Sequence, residues 1–257
     1  RRPPRSTLFP YTTLFDLWQG VEMAQRKSSN CSLHLVNTDR NCDACDLPKK
    51  CIGDGLDKDQ SESISKLIKS RGPFQAGETI FRMEDPFKSI FAIQSGSVKL
   101  ESSLDDGTPL IHGFYFDCEL IGIEAIGDTR YQNDAVALET TWICELPFDQ
   151  VESLCIEIPK LQHEILELLG KRIRYTNSTI VRGRYLSADK RFLLFLNDLY
   201  QRKGKINANG DRVVMLPMTK GDIAIHLGLR PESLSRALSK LQEEGVIRNR
   251  AREIQIL

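Results

Sequence analysis

An α+β fold is predicted, with an N-terminal β jelly roll, a long amphipathic helix and a C-terminal winged helix-turn-helix. Three observations predict it. Short β-rich runs punctuated by glycine fill Gly72–Pro147. An apolar stripe at helical spacing begins at Pro159. The C-terminal end carries two short helical patterns joined at Gly228 and followed by a β-rich tail.

Ahead of these elements, Arg1–Phe15 (RRPPRSTLFPYTTLF) matches nothing around it and resembles the translation of a sequencing-library adapter. Residues 1–22 are therefore set aside as non-native, and the native chain is expected to start near Met23. Residues 23–56 form a cysteine-rich segment. Leu56–Ser70 then reads as a short amphipathic helix, with Asp57 as its N-cap and Ile64, Leu67 and Ile68 on one face.

That helix opens a domain expected over 57–158. Ser89–Gln94, Ser97–Leu104, Leu110–Phe114, Ala135–Glu139 and Thr141–Leu146 read as strands. Gly77, Gly96, Asp106-Gly107, Gly113, Gly122 and Gly127 separate them. Many short strands with glycine turns at this spacing build an all-β barrel or jelly roll. This is the candidate sensor domain.

A dimerisation helix and hinge are expected over 159–186. Leu161, Ile165, Leu168, Leu169, Ile173 and Ile180 recur at helical spacing, with Thr176 in the same stripe. Unpaired, the stripe would stand in water, so it requires the β domain, a second copy of the chain, or both. Arg172 and Arg174 beside it are expected to keep the pairing of two copies marginal.

Residues 187–257 complete the chain. A helix capped at Ser187 carries Phe192, Phe195, Leu196, Leu199 and Tyr200. Gly204–Asp211 is a polar turn and Val213–Leu216 a short strand. Thr219 and Asp222 then stand three apart, as an N-cap with an acidic capping box requires. Ile223, Ala224 and Leu227 form an inward face, and the small Ala224 lets a second helix approach. Gly228 supplies the left-handed conformation that a sharp helix-to-helix turn demands, and Pro231 fits the first turn of the next helix. Leu234, Ala237, Leu238 and Leu241 bury that helix.

Its outward face carries Glu232, Ser233, Ser235, Arg236, Ser239 and Lys240. Such a helix suits the major groove of double-stranded DNA. An arginine there donates two hydrogen bonds to a guanine edge, a glutamate accepts from a cytosine amine, and a serine serves base or phosphate. Val246–Leu257 reads as a β-hairpin wing, with Arg248, Arg250 and Arg252 available to the DNA backbone. The chain stops inside its last strand, which is expected to mark a clipped end. A plain helical hairpin with a solvated face is the simpler reading, but it explains neither the Ala/Gly/Pro spacing nor the wing.

Composition agrees without deciding the matter. Apolar residues make up 40% and charged residues 27% of the 257, which is globular rather than disordered. Lys+Arg and Asp+Glu cancel at 35 each, so no global field points to nucleic acid. Locally, Gly170–Lys205 is basic, and that excess serves phosphate or simply a solvated helix face. No apolar run approaches the ~20 residues that span a bilayer, and no signal-peptide pattern precedes the cysteines. A cytoplasmic protein with no membrane partner and with reduced thiols is expected.

Seven cysteines are present, and Cys42-x2-Cys45-x5-Cys51 puts three in one short loop. Adjacent thiolates repel, so a soft metal centre is what makes holding them together favourable. An iron–sulfur cube needs a fourth thiolate, and Cys118, Cys144 and Cys155 all lie downstream. Zinc competes, because Cys31-x2-His34 followed by Cys42-x2-Cys45 has the look of a mixed site. An enzyme built on a cysteine nucleophile would need a base, yet of His34, His112, His163 and His226 the last two fall in the reader and the long helix.

The cysteine triplet, Ile90–Leu100 (IFAIQSGSVKL), Glu119–Gly127 (ELIGIEAIG), Ala137–Phe148 (ALETTWICELPF) and the helix-turn-helix occur in order over Cys31–Leu257. In these pieces the chain resembles the fumarate-and-nitrate-reduction (FNR) branch of the CRP/FNR transcription factor superfamily. The resemblance implies a cyclic-nucleotide-binding-like jelly roll as oxygen sensor, a long helix forming a homodimer and a winged helix-turn-helix. It implies an oxygen-labile 4Fe–4S cluster on Cys42, Cys45, Cys51 and Cys144. It places DNA reading on Glu232, Ser235 and Arg236, the residues already picked from the outward face, with Ser233, Thr219 and Lys240 beside them. The implied operator is a palindrome with TTGAT-like half-sites controlling anaerobic-metabolism genes as activator or repressor, and the Asp105-Asp106-Gly107 turn is the expected contact for RNA polymerase. A cyclic nucleotide needs an arginine against its phosphate, and Asn133 stands at the position where the resemblance would put it, so cyclic-AMP control is not expected. The alternative is a zinc-stabilised or apo regulator of the same type without oxygen sensing.

Overall fold

The computed structural model describes residues 57–257. Cys31, His34, Cys42, Cys45 and Cys51, and the segment expected to be adapter-derived, lie outside the described residues.

Helix α1 (Lys58–Leu67) begins where its cap dictates. Asp57 accepts from the Gln60 backbone N–H at 2.9 Å, and the Gln60 side chain accepts from the Asp57 N–H at 3.2 Å. The capping box thus satisfies two otherwise orphaned donors. Two four-stranded antiparallel sheets follow. The first runs β1 (Lys69–Phe74), β8 (Thr141–Pro147), β3 (Ser89–Ser95), β6 (Leu120–Ile121). The second runs β2 (Thr79–Phe81), β7 (Asp134–Ala137), β4 (Ser97–Ser103), β5 (Pro109–Phe116).

Strand β3 shows why the sheets layer as they do. Its period of two sends Phe91 and Ile93 between the sheets, against Val98, Leu100, Tyr115 and Ile143. Ile90 and Ala92 go the other way, into a second core with Ile64 of α1, Leu146 of β8, Val151 and Leu161. Both faces of the strand are covered, which is why its sequence is a continuous apolar run rather than an alternating one.

The helical layer on that second face holds α1, α2 (Phe148–Glu157) and the start of α3 (Pro159–Tyr185). Pro159 opens α3 at a position where its missing N–H costs nothing. Helix α2 was not anticipated from the sequence. It is only ten residues long and only Val151 is fully buried, so it carries little periodic signal.

The C-terminal elements are α4 (Ala188–Lys203), β9 (Lys205–Ile206), β10 (Arg212–Met215), α5 (Lys220–His226), α6 (Pro231–Glu243), β11 (Ile247–Arg250) and β12 (Glu253–Ile256). The strands form one sheet in the order β11-β12-β10-β9. The wing is therefore the outer half of a four-stranded sheet, not a free hairpin, and β9 lies inside the stretch read as a polar turn. Among the described residues no helix is long and apolar enough to cross a membrane.

Candidate nucleic-acid interface

The reader is built by two matched helix ends. Thr219 Oγ1 accepts from the Asp222 N–H at 3.0 Å, and Asp222 Oδ2 accepts from the Thr219 N–H at 2.9 Å. At the other end of α5, Gly228 adopts φ +62°. There the Leu229 N–H reaches the Ala224 carbonyl at 2.8 Å and the Gly228 N–H reaches Ile225 at 3.0 Å. These paired bonds form a Schellman turn, and they fix the angle at which α6 departs.

Helix α6 buries Leu234, Ala237, Leu238 and Leu241. Glu232, Ser235, Arg236, Ser239 and Lys240 are exposed on its other side, Ser233 is half-buried, and Thr219 is exposed at the start of α5. Arg248, Arg250 and Arg252 of the wing are exposed too. The sequence-selected side chains are thus open to solvent, Ser233 only in part. Lys240 carries a qualification, because its ammonium donates to Asp189 at the start of α4 at 2.8 Å. Burial alone would raise the Asp189 pKa, but hydrogen bonds from Lys240 and Ser187 outweigh it and bring it to about 2. This lysine is already partly neutralised.

One residue missed at the sequence level ties the reader to the long helix. Arg191 of α4 donates from Nε to Leu186 O at 2.9 Å and from Nη1 to Leu227 O at 3.2 Å. Those carbonyls cap the C-termini of α3 and α5, where the helix dipoles favour a cation.

The reader also docks on the β domain, through contacts equally missed. Lys99 of β4 donates to Asp222 at 3.1 Å and pairs with Glu101 at 2.7 Å. Burial raises and Thr219 and Lys99 lower the Asp222 pKa, and the lowering wins. His226 lies between Phe114 of β5 and Phe195 of α4, with ring centroids 5.2 and 5.8 Å away. Its Nδ1 is 3.1 Å from the Ile111 carbonyl. A carbonyl only accepts, so the proton resides on Nδ1. Desolvation, with Arg172 and Arg202 nearby, depresses this imidazole's pKa.

On the sensor side, Cys144 of β8 is half-buried and belongs to the helix-facing core with α1. Cys155 of α2 lies in the same layer, where burial and then Glu152 push its thiol pKa up. Cys118 lies instead in the β5–β6 turn, next to Glu119. Among the described residues no cluster of three or more metal-ligating side chains converges. In the other core Tyr131 stacks on Phe81 at 4.1 Å and donates its hydroxyl to Ser89 O at 2.7 Å, while Asn133 is 9% exposed.

The apolar stripe of α3 divides between two faces. Leu161 is 1% exposed and belongs to the chain's own core, with Ile165, Leu168 and Leu169 packed against it. Thr176, Ile173 and Ile180 remain exposed, and Leu166, missed before, joins them. Leu166, Ile173 and Ile180 are seven apart, a spacing visible in the sequence once the inward face is subtracted. Arg172 does not crowd this seam. Its guanidinium lies 4.7 Å over Tyr115 and 3.8 Å from Glu124, inside the β domain.

A β domain of eight strands, a long helix and an exposed, wing-supported reading helix define a two-domain DNA-binding regulator. Residues 71–157 match the cyclic nucleotide-binding domain family and 190–257 the Crp-like helix-turn-helix domain family. The chain is 32% identical to the transcriptional activator protein FnrA of Stutzerimonas stutzeri, over 84% of this chain and 88% of that protein. It is 30% identical to the fumarate and nitrate reduction regulatory protein of Escherichia coli K12, over 90% and 89%. The structure of FixK2 from Bradyrhizobium japonicum superposes with a TM-score of 0.67 at 22% identity, covering 74% of this chain and 92% of that one, a likeness of fold. The chain belongs to the CRP/FNR family of DNA-binding transcription regulators, a family of regulators rather than enzymes.

Proposed function

We propose that the chain is an oxygen- and redox-responsive regulator of anaerobic-metabolism genes, reading palindromic DNA with TTGAT-like half-sites as a homodimer. The observation that carries it is the outward face of α6, where Glu232, Ser235 and Arg236 stand exposed together above a fully buried apolar face. Arg236 pairs a guanine edge, Glu232 accepts from a cytosine amine, and Ser235 takes a base or phosphate. Thr219, Ser233 and Lys240 support them at the phosphates, with Lys240 exchanging Asp189 for DNA. Two such helices one DNA turn apart match a two-fold palindrome. The exposed Leu166, Ile173, Thr176 and Ile180 supply the seam between the copies. RNA polymerase would meet the exposed Asp105–Gly107 turn.

The sensing half rests on thiolate chemistry. Cys42, Cys45, Cys51 and Cys144 form an all-thiolate donor set of the kind that holds iron–sulfur clusters. Cys144 fits as the fourth member, because it faces the layer containing α1. The chain that carries Cys51 is six residues from the Asp57 cap, a span of at most about 20 Å. Cys118 fits less well, lying in the turn that faces the reader, and Cys155 is drawn toward its neutral thiol. A 4Fe–4S cluster on these four residues would supply an oxygen-sensitive link between the segment before α1 and strand β8. Arg191 and the contacts of α4 and α5 carry shifts of the β domain to the reader.

Purification of the chain without oxygen, with assay of iron, sulfide and zinc, tests this reading. About four irons and four sulfides per chain, with broad visible absorption that bleaches in air, are expected. Colourless protein with one zinc would replace it by a zinc-stabilised regulator lacking oxygen control.

A further inference from the structure

The reader is held to the β domain at three separated places. At the N-terminus of α5, Lys99 grips Asp222. At its C-terminus, His226 bonds the Ile111 carbonyl. At the C-terminus of α4, Arg202 forms a two-pronged pair with Glu119, Nε to Oε1 at 2.9 Å and Nη2 to Oε2 at 2.6 Å. Its Nη1 also bonds Asp198 at 3.0 Å, and the guanidinium stacks 4.7 Å over Phe116. Glu119 is pre-set for this, since the Phe116 N–H donates to its Oε2 at 2.9 Å. Beside it Lys203 donates to Glu139 at 2.8 Å and to Ser97 Oγ at 2.9 Å.

All three attachments hold the reader against the β domain, and none of them uses the exposed face of α6. A forked Arg–carboxylate pair fixes angle as well as distance, which a lysine does not. We infer that the Arg202–Glu119 pair is a positioning device that sets the separation of the two reading helices, and so selects the spacing between half-sites rather than their base sequence. The inference rests on the proposed palindromic reading by a dimer. The base-reading residues settle which half-site is bound, while the docking settles how far apart two half-sites stand.

The test uses the full chain purified without oxygen and duplexes carrying two inverted TTGAT half-sites, their spacer varied one base pair at a time. Wild-type protein should prefer one spacing by about ten-fold or more over its neighbours, since ~1.4 kcal/mol of misfit gives that factor. Arg202→Ala and the milder Glu119→Gln should keep affinity for a duplex with a single half-site, yet discriminate adjacent spacings by less than about three-fold, a residual misfit below ~0.7 kcal/mol. Arg202→Lys, which keeps the charge but loses the fork, should recover only part of the preference, which a merely structural loss would not allow. Thermal unfolding checks that each variant is folded, and Glu119→Gln stands in if Arg202→Ala is not. Unchanged spacing discrimination in the folded variants, or equal wild-type binding at all spacings, overturns the inference alone. Wild-type protein that binds no TTGAT duplex at all overturns the palindromic reading, and this inference with it.

Discussion

At single residues, base reading and electrostatic attraction have different signatures. Arg236→Ala should weaken operator binding by ~1–3 kcal/mol and relax preference at the guanine it contacts. Lys240→Ala should instead weaken all duplexes alike and slightly, because that ammonium gives up Asp189 to reach phosphate. Competition titrations against single-base operator variants distinguish the two. His226 adds a pH dependence with a definite sign. Its folded pKa lies below the ordinary value of about 6.5, so the folded state binds the proton less readily than the unfolded chain does. Its stabilising contribution is complete above about pH 6.5 and is lost as pH falls toward the folded pKa. The groups facing it are Arg172 from α3, Asp198 and Arg202 from α4, and the Ile111 carbonyl. Melting curves of wild type and His226→Gln should therefore converge as pH is lowered from 7.5 to 5.5, and curves that stay parallel would contradict this. The exposed face of α6 was legible in the sequence because local rules place it: a cap at Thr219, a left-handed glycine at 228, and a helical period beyond.

Among the elements, α3 shows where legibility fades. Its periodicity revealed a helix but merged two faces, one packed on the β domain through Leu161 and one open through Leu166, Ile173 and Ile180. A helical stripe wider than one seam cannot say which of its residues meets which partner. The faces predict opposite phenotypes. Leu161→Ala should cost about 2–5 kcal/mol of stability, the range for truncating a buried leucine. Ile173→Glu should leave the melting temperature of the monomer nearly unchanged and abolish dimers, as read by sedimentation. Loss of stability in the second variant without loss of association would place the seam elsewhere. Helix α2 and strand β9 escaped notice for a related reason: both are short, and tertiary contacts rather than their own pattern stabilise them.

For the whole molecule, the β-domain and reader patterns were legible, but their docking was not. Arg202 and Glu119 lie 83 residues apart, and nothing local in either stretch announces the pair. Cys144 is similar: its half-buried place beside the layer of α1 comes from sheet order, β1-β8-β3-β6, not from cysteine spacing. The central claim is that the state of the thiolate set controls DNA binding through that architecture. The most direct measurement is fluorescence anisotropy of a TTGAT palindrome titrated with oxygen-free wild-type and Cys144→Ser protein, before and after exposure to air. Coupling of ~1–3 kcal/mol predicts that air weakens wild-type binding about 5- to 150-fold, and that Cys144→Ser binds weakly under both conditions. Tight, air-insensitive binding by both proteins would contradict the account.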